Sequence, residues 1–242
     1  MANGWKIATG VLTVFSIGLV GMAAKLYNTA EDFYRRELVA RLDPLDLNRK
    51  KPSIESNPEL PTIVFLGDSR AAMWPQPEYR ANYINLGVNS QTTGQILERA
   101  KVELAGLHPD LVVIQAGVND LKVCALLPEQ KERIQKQALS NLEQIYRVAK
   151  GTGAEVIMTT VFPGAKPGLL DQARWNESAI RAIIQINKAI RASHKDCLDA
   201  AKALSSDERT VANGLSLDLL HLNPNGYLIL NQALKERLVK KF

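Results

Sequence analysis

Apolar residues along this chain come in blocks more than in alternation. The first block is the longest: Ile7 to Ala24 carries no charge and lies between Lys6 and Lys25. At about 1.5 Å per residue in a helix this run can cross a bilayer, with Trp5 and Tyr27 at the two interfaces. The h-region of a secretory signal peptide is shorter, about 7–15 residues, which favours a retained anchor. Gly21-Met22-Ala23 nevertheless offers a small-x-small cleavage site. Thr29 to Leu42 predicts a charged amphipathic helix, with Thr29 as N-cap and Phe33, Leu38 and Leu42 on one face. Asp43 to Pro61 contains Pro44, Pro52, Pro58 and Pro61 and reads as a spacer.

Beyond Pro61 short apolar runs alternate with helix-like stretches. Strands are expected at 62–66, 82–86, 111–115 and 155–160, with a short fifth at 197–198. Helices are expected at 91–104, 128–150, 172–193 and 224–240. Continuous apolar runs suit strands buried on both faces. Their alternation with helices predicts an α/β three-layer sandwich around a parallel five-stranded sheet. The expected division is a transmembrane or signal segment at 1–27, a juxtamembrane helix and linker at 28–60, and one folded domain at 61–242.

Composition adds exclusions. A chain 46% hydrophobic, 23% charged and 6% aromatic is ordinary for a globular protein and is not disordered, collagen-like or disulfide-stapled. The net charge of +5 comes without a block of five or six basic residues. It reads as solvated helix faces, with no basic and aromatic stripe for nucleic acid. Cys124 and Cys197 lack zinc-ligand spacing and read as small buried residues, with a disulfide left open. Neither a metal site nor a phosphate-cradling loop is expected, and no cofactor.

In parallel sheets ligands bind beyond the carboxyl ends of the strands. The expected strand ends carry Gly67-Asp68-Ser69-Arg70, then Asn85-Leu86-Gly87-Val88-Asn89-Ser90-Gln91-Thr92, then Gly117-Val118-Asn119-Asp120. Near the C-terminus comes Asp218-Leu219-Leu220-His221. A serine hydroxyl needs an adjacent base, and imidazole titrates near working pH. Ser69 is therefore the candidate nucleophile, His221 the base and Asp218 the group that orients it. His108 and His194 read as surface residues, the latter at a helix end. Asp68 and Asp120 read as loop braces. Arg70 is either a packed side chain or a contact to an anionic substrate group.

These four segments, in this order, resemble the SGNH (GDSL-type) hydrolase family over about Thr62 to Tyr227. The resemblance implies a flavodoxin-like sheet and the Ser69, His221 and Asp218 roles just named. It also implies an oxyanion hole built from the Ser69 backbone N–H, the Asn119 amide and a donor in the second motif. That motif departs from the family's N-x-G-x-x-G-x-T: Asn85, Gly87 and Thr92 match, but Ser90 stands where the donating glycine is expected. A backbone donor survives the change. If the position requires φ > 0, serine is strained there by roughly 1–3 kcal/mol. Gly87 is the alternative donor.

The implied activity is serine-dependent hydrolysis of carboxylic esters or thioesters. The alternatives are an O-acyltransferase or O-acetyl esterase acting on cell-envelope glycans, and a non-catalytic binding module. The expected partners are a small-molecule, glycan or lipid ester and a membrane, reached through the N-terminal segment. The domain is expected on the extracytoplasmic side, or secreted after cleavage. Loops 70–79, 121–127 and 162–175 would shape the pocket, the last as a mobile lid. Trp74, Phe162 and Trp175 would line the pocket or fill the core.

Overall fold

The computed structural model describes residues 2–50 and 57–241, with side chains from residue 10 onward. Trp5 and Lys6, as side chains, and Pro52 of the spacer lie outside the described residues. The chain divides into two compact units, Met1–Asn48 and Arg49–Phe242.

In the first unit the apolar run and the amphipathic stretch are one helix, α1 (Ala2–Leu42). The N-cap expected at Thr29 does not form. Its hydroxyl donates to the Lys25 carbonyl at 2.8 Å, the back-bond of a threonine inside a helix. No glycine or proline interrupts residues 22 to 43, so nothing stops the helix before Asp43-Pro44, where the residue preceding proline disfavours it. Gly10–Leu42 contains the one helical stretch, among the described residues, that is long and apolar enough to cross a membrane, with a mean hydropathy of 1.6. That is compatible with a membrane anchor or a signal peptide.

The second unit is built on four parallel strands: β1 (Thr62–Gly67), β2 (Asn82–Gly87), β3 (Leu111–Gln115) and β4 (Glu155–Met158), ordered β2-β1-β3-β4. The expected fifth strand shrinks to a single parallel bridge between Thr159 and Leu198. Two residues cannot extend it: His194 closes the preceding helix, and the Asp199 carboxylate already caps the next one.

Short helices α2 (Ser69–Ala72) and α4 (Val118–Leu121) follow β1 and β3 directly. The longer ones are α3 (Thr93–Glu103), α5 (Lys131–Lys150), α6 (Glu177–Ser193) and α8 (Pro224–Lys241), with short α7 (Ala200–Leu204) before the last. Side chains of a strand point alternately to its two faces. Val64 and Leu66 of β1 accordingly pack with α3, α5 and α6, while Ile63 and Phe65 pack with α7 and α8. The result is the three-layer sandwich, with helices on both faces of the sheet.

Cys124 and Cys197 are buried and unpaired. Trp74 is buried against Phe65 and Tyr227, and Phe162 is fully buried, so both belong to the core. His108 stands just before β3 in a left-handed conformation, φ 44°. His194 does end α6, but it is not a free surface residue: its ring nitrogen lies 2.9 Å from a Glu143 carboxylate oxygen, with the Tyr146 ring beside it.

The strand ends are crowded. Gly67 and Gly87 are register partners at the carboxyl ends of β1 and β2. A Cβ on Gly67 would sit 1.8 Å from the Gln115 carbonyl oxygen, and one on Gly87 would sit 2.1 Å from the Ala72 backbone nitrogen. Both contacts are with backbone, which cannot swing aside. Gly87→Ala should therefore force α2 from the sheet and cost about 1–3 kcal/mol or more by urea unfolding. An unchanged midpoint would show that α2 does not depend on this contact.

Candidate active site

β1 delivers the chain to Asp68, which caps α2. Its side chain accepts from the Arg70 backbone N–H at 2.9 Å, and Ser69 becomes the first residue of the helix. Some 150 residues further along the chain, a tight turn joins Asp218 to His221. Asp218 Oδ1 accepts from the backbone N–H groups of Leu220 and His221, each at 2.8 Å. Asn223 and Pro224 then open α8, with proline in the first turn, where its missing N–H costs nothing.

The two segments meet. His221 Nε2 lies 2.9 Å from Ser69 Oγ, across 152 residues of sequence. His221 Nδ1 lies 2.8 Å from Asp218 Oδ2 and 3.0 Å from Oδ1. A carboxylate can only accept, so Nδ1 carries the proton and the Nε2 lone pair faces the serine hydroxyl. Burial alone would raise the Asp218 carboxyl. Hydrogen bonds from the His221 ring and from the two backbone N–H groups outweigh it and hold the group below the usual carboxylate range.

The second and third motifs converge on the same place. Asn119 is buried, and its amide nitrogen donates to the Gln91 carbonyl at 3.0 Å. Asp120 braces the start of α3, accepting from the Thr93 N–H at 2.9 Å and the Thr93 hydroxyl at 2.7 Å. Ser90 has φ 64°, the left-handed conformation that favours glycine. The Gly87 N–H is taken by the Asn85 side-chain oxygen at 2.8 Å, so Gly87 is not a free donor. The Ser90 N–H has no hydrogen-bond partner among the described residues.

A family model of the GDSL-like lipase/acylhydrolase family matches residues 65–229, more than half of the chain. The chain belongs to this family.

It is therefore an ester-hydrolysing enzyme of the GDSL-like type. No curated protein matches it in sequence. Among solved structures it is similar to a GDSL-like lipase from Bacteroides thetaiotaomicron, with 21% identity, a TM-score of 0.60, and coverage of 84% of this chain and 97% of that one. It is also similar to Axe2, an acetylxylan esterase from Geobacillus stearothermophilus, with 18% identity, a TM-score of 0.55, and coverage of 74% and 94%. Identities this low carry the fold alone.

Beside His221 a cleft of about 500 Å³ is lined by Lys122, Leu126, Trp175, Asp218 and Leu219, among others. Of the three aromatic candidates, only Trp175 reaches it. Arg70, left open between packing and substrate contact, is packed. It is fully buried, its guanidinium 4.0 Å from the centroid of the Phe162 ring, and it donates to the carbonyls of Leu220 at 2.9 Å and Phe162 at 2.5 Å. Sequence reasoning missed Arg99, which is equally buried and ties β1 to β2 through the Gly67 and Leu86 carbonyls. It also missed Lys122, one helical turn after Asn119. A basic residue at i+3 from a candidate site residue is the one signal that pointed there.

Asp68, next to Ser69 in the chain, is buried, and its Oδ2 has no hydrogen-bond partner among the described residues. Burial pushes its carboxyl up to about 6, against the pull of the Arg70 charge and of the Arg70 N–H. An unfolded aspartate releases its proton near about 4. Between these values the folded protein binds more protons than the unfolded one, so this group's contribution to stability falls as pH rises through the window. The fall amounts to about 2–3 kcal/mol. Asp68→Asn should remove it: the unfolding free energy of the wild type relative to the variant should drop by that amount from pH 4 to pH 7. A constant difference would contradict the assignment.

Proposed function

We propose that this GDSL-like enzyme cleaves carboxylic esters through a covalent acyl intermediate on Ser69. The observation that carries the reading is the unbroken hydrogen-bond chain from Ser69 Oγ through His221 to the Asp218 carboxylate. In the first step Oγ attacks the ester carbonyl carbon while its proton passes to His221 Nε2. Asp218 keeps the ring oriented and stabilises the imidazolium. The proton then moves to the leaving alkoxide as the C–O bond breaks. Water repeats the sequence, with His221 as base and then acid, to release the carboxylic acid and free Ser69.

The oxyanion needs donors already in place. The Ser69 N–H and the second hydrogen of the Asn119 amide fill two positions. Ser90 supplies the third, because its N–H is uncommitted whereas that of Gly87 is already bonded. The strained φ of Ser90 is then the cost of aiming that N–H. The apolar N-terminal helix supports a membrane anchor or a signal segment, and we place the domain outside the cytoplasm, anchored or secreted after cleavage.

Ser69→Ala and His221→Ala should each lower hydrolysis of p-nitrophenyl acetate by at least about 1000-fold while leaving the thermal melting point within a few degrees. Either variant retaining the wild-type rate would refute the serine mechanism.

A further inference from the structure

Asn119 is held at both ends by groups of opposite character. Its amide nitrogen faces the Gln91 carbonyl at 3.0 Å, and its oxygen faces the Lys122 ammonium at 2.8 Å. A backbone carbonyl can only accept and an ammonium can only donate. The two partners therefore fix the same orientation of the amide. They leave one N–H of that amide without a hydrogen-bond partner among the described residues. Lys122 has few other calls on its charge among the described residues: no carboxylate lies within ion-pair distance of its ammonium, and its hydrogen bond goes to Asn119. Its half-buried stem lines the cleft beside His221. Burial holds the ammonium below the usual lysine range, while Asp68 and Asp120 pull it back up.

We infer that Lys122 is a positioning residue for ester cleavage: it locks the Asn119 side-chain amide with its nitrogen toward the reacting carbonyl and polarises that amide as an oxyanion donor. A hydrogen bond with one charged partner is about twice as strong as a neutral one, so the lock is firm even in a site open to water. The inference rests on the serine-ester reading. It assigns to a cleft-lining cation a role in the rate of the chemical step and none in substrate affinity.

The test is a double-mutant cycle in the full-length chain in detergent, with p-nitrophenyl acetate as the probe. Asn119→Ala should lower kcat by about 100- to 1000-fold, as expected for loss of one oxyanion donor. Lys122→Met should lower kcat by about 10- to 100-fold with KM changed less than about threefold. In the Asn119→Ala background the same substitution should cost less than about threefold, because nothing is left to orient. Lys122→Arg, which keeps a cationic donor, should recover most of kcat. Melting curves accompany each variant, and Lys122→Gln replaces the methionine variant if that one melts early.

An equal loss from Lys122→Met with and without Asn119 would overturn the inference. So would a rise in KM at constant kcat, which would make Lys122 a substrate contact. Failure of Asn119→Ala to affect kcat would instead sink the oxyanion reading on which the inference stands.

Discussion

The buried guanidinium of Arg70 is the interaction on which the geometry of this enzyme depends. It leaves the chain one residue after Ser69 and ends on carbonyls from two other segments. Leu220 lies inside the Asp218–His221 turn, and Phe162 and Pro163 lie in the long loop between β4 and α6. The backbone carbonyl of Arg70 is held in turn by the Tyr227 hydroxyl of α8 at 2.9 Å. One residue thus fixes the Ser69 segment, the His221 turn and the cleft wall relative to one another. Burial pulls the guanidinium down to about 10, which leaves it fully charged at neutral pH. A charge so deep is tolerable because three carbonyls, the Phe162 face and nearby Asp68 compensate its lost hydration.

A second buried arginine does the corresponding work beneath the sheet ends. Arg99 of α3 donates to the Gly67 and Leu86 carbonyls and to the Gln91 side chain, and pairs with Glu103 at 2.5 Å. The Glu103 carboxylate also meets Arg49 at 2.5 Å. Gln91 is the link to chemistry, since its carbonyl holds the Asn119 amide. The rigid scaffold of β1, β2 and α3 therefore reaches the proposed oxyanion donors through hydrogen bonds that leave no slack, which is what preorganised electrostatic catalysis requires.

Much of this was legible in the sequence. Ser69, Asp218 and His221 could be singled out because each sits at a strand end or in a tight turn, and the structure brings their side chains into one hydrogen-bond chain. Four strands could be placed because each carries a short apolar run, buried along its length in β1 and β3 and only in part in the edge strands β2 and β4. What escaped was decided by tertiary context. The fifth strand failed because Asp199 is committed to capping α7. Thr29 carries a cap residue's side chain but lies inside a helix that nothing interrupts. The packing of Arg70 could not be chosen from local sequence, since its partners lie about 90 and 150 residues away. Ser90 was the reverse case. Its departure from glycine raised the question of a left-handed residue, and φ 64° answers it.

The central claim is that Ser69 is the activated nucleophile of an ester hydrolase. Its most direct test is covalent: treat the full-length chain with a fluorophosphonate at neutral pH and map the adduct by peptide mass spectrometry. The account predicts one phosphonyl group per chain, on Ser69, formed quickly in the wild type and slowed strongly in His221→Ala. A wild-type chain that stays unmodified, or that carries the adduct elsewhere, would contradict it.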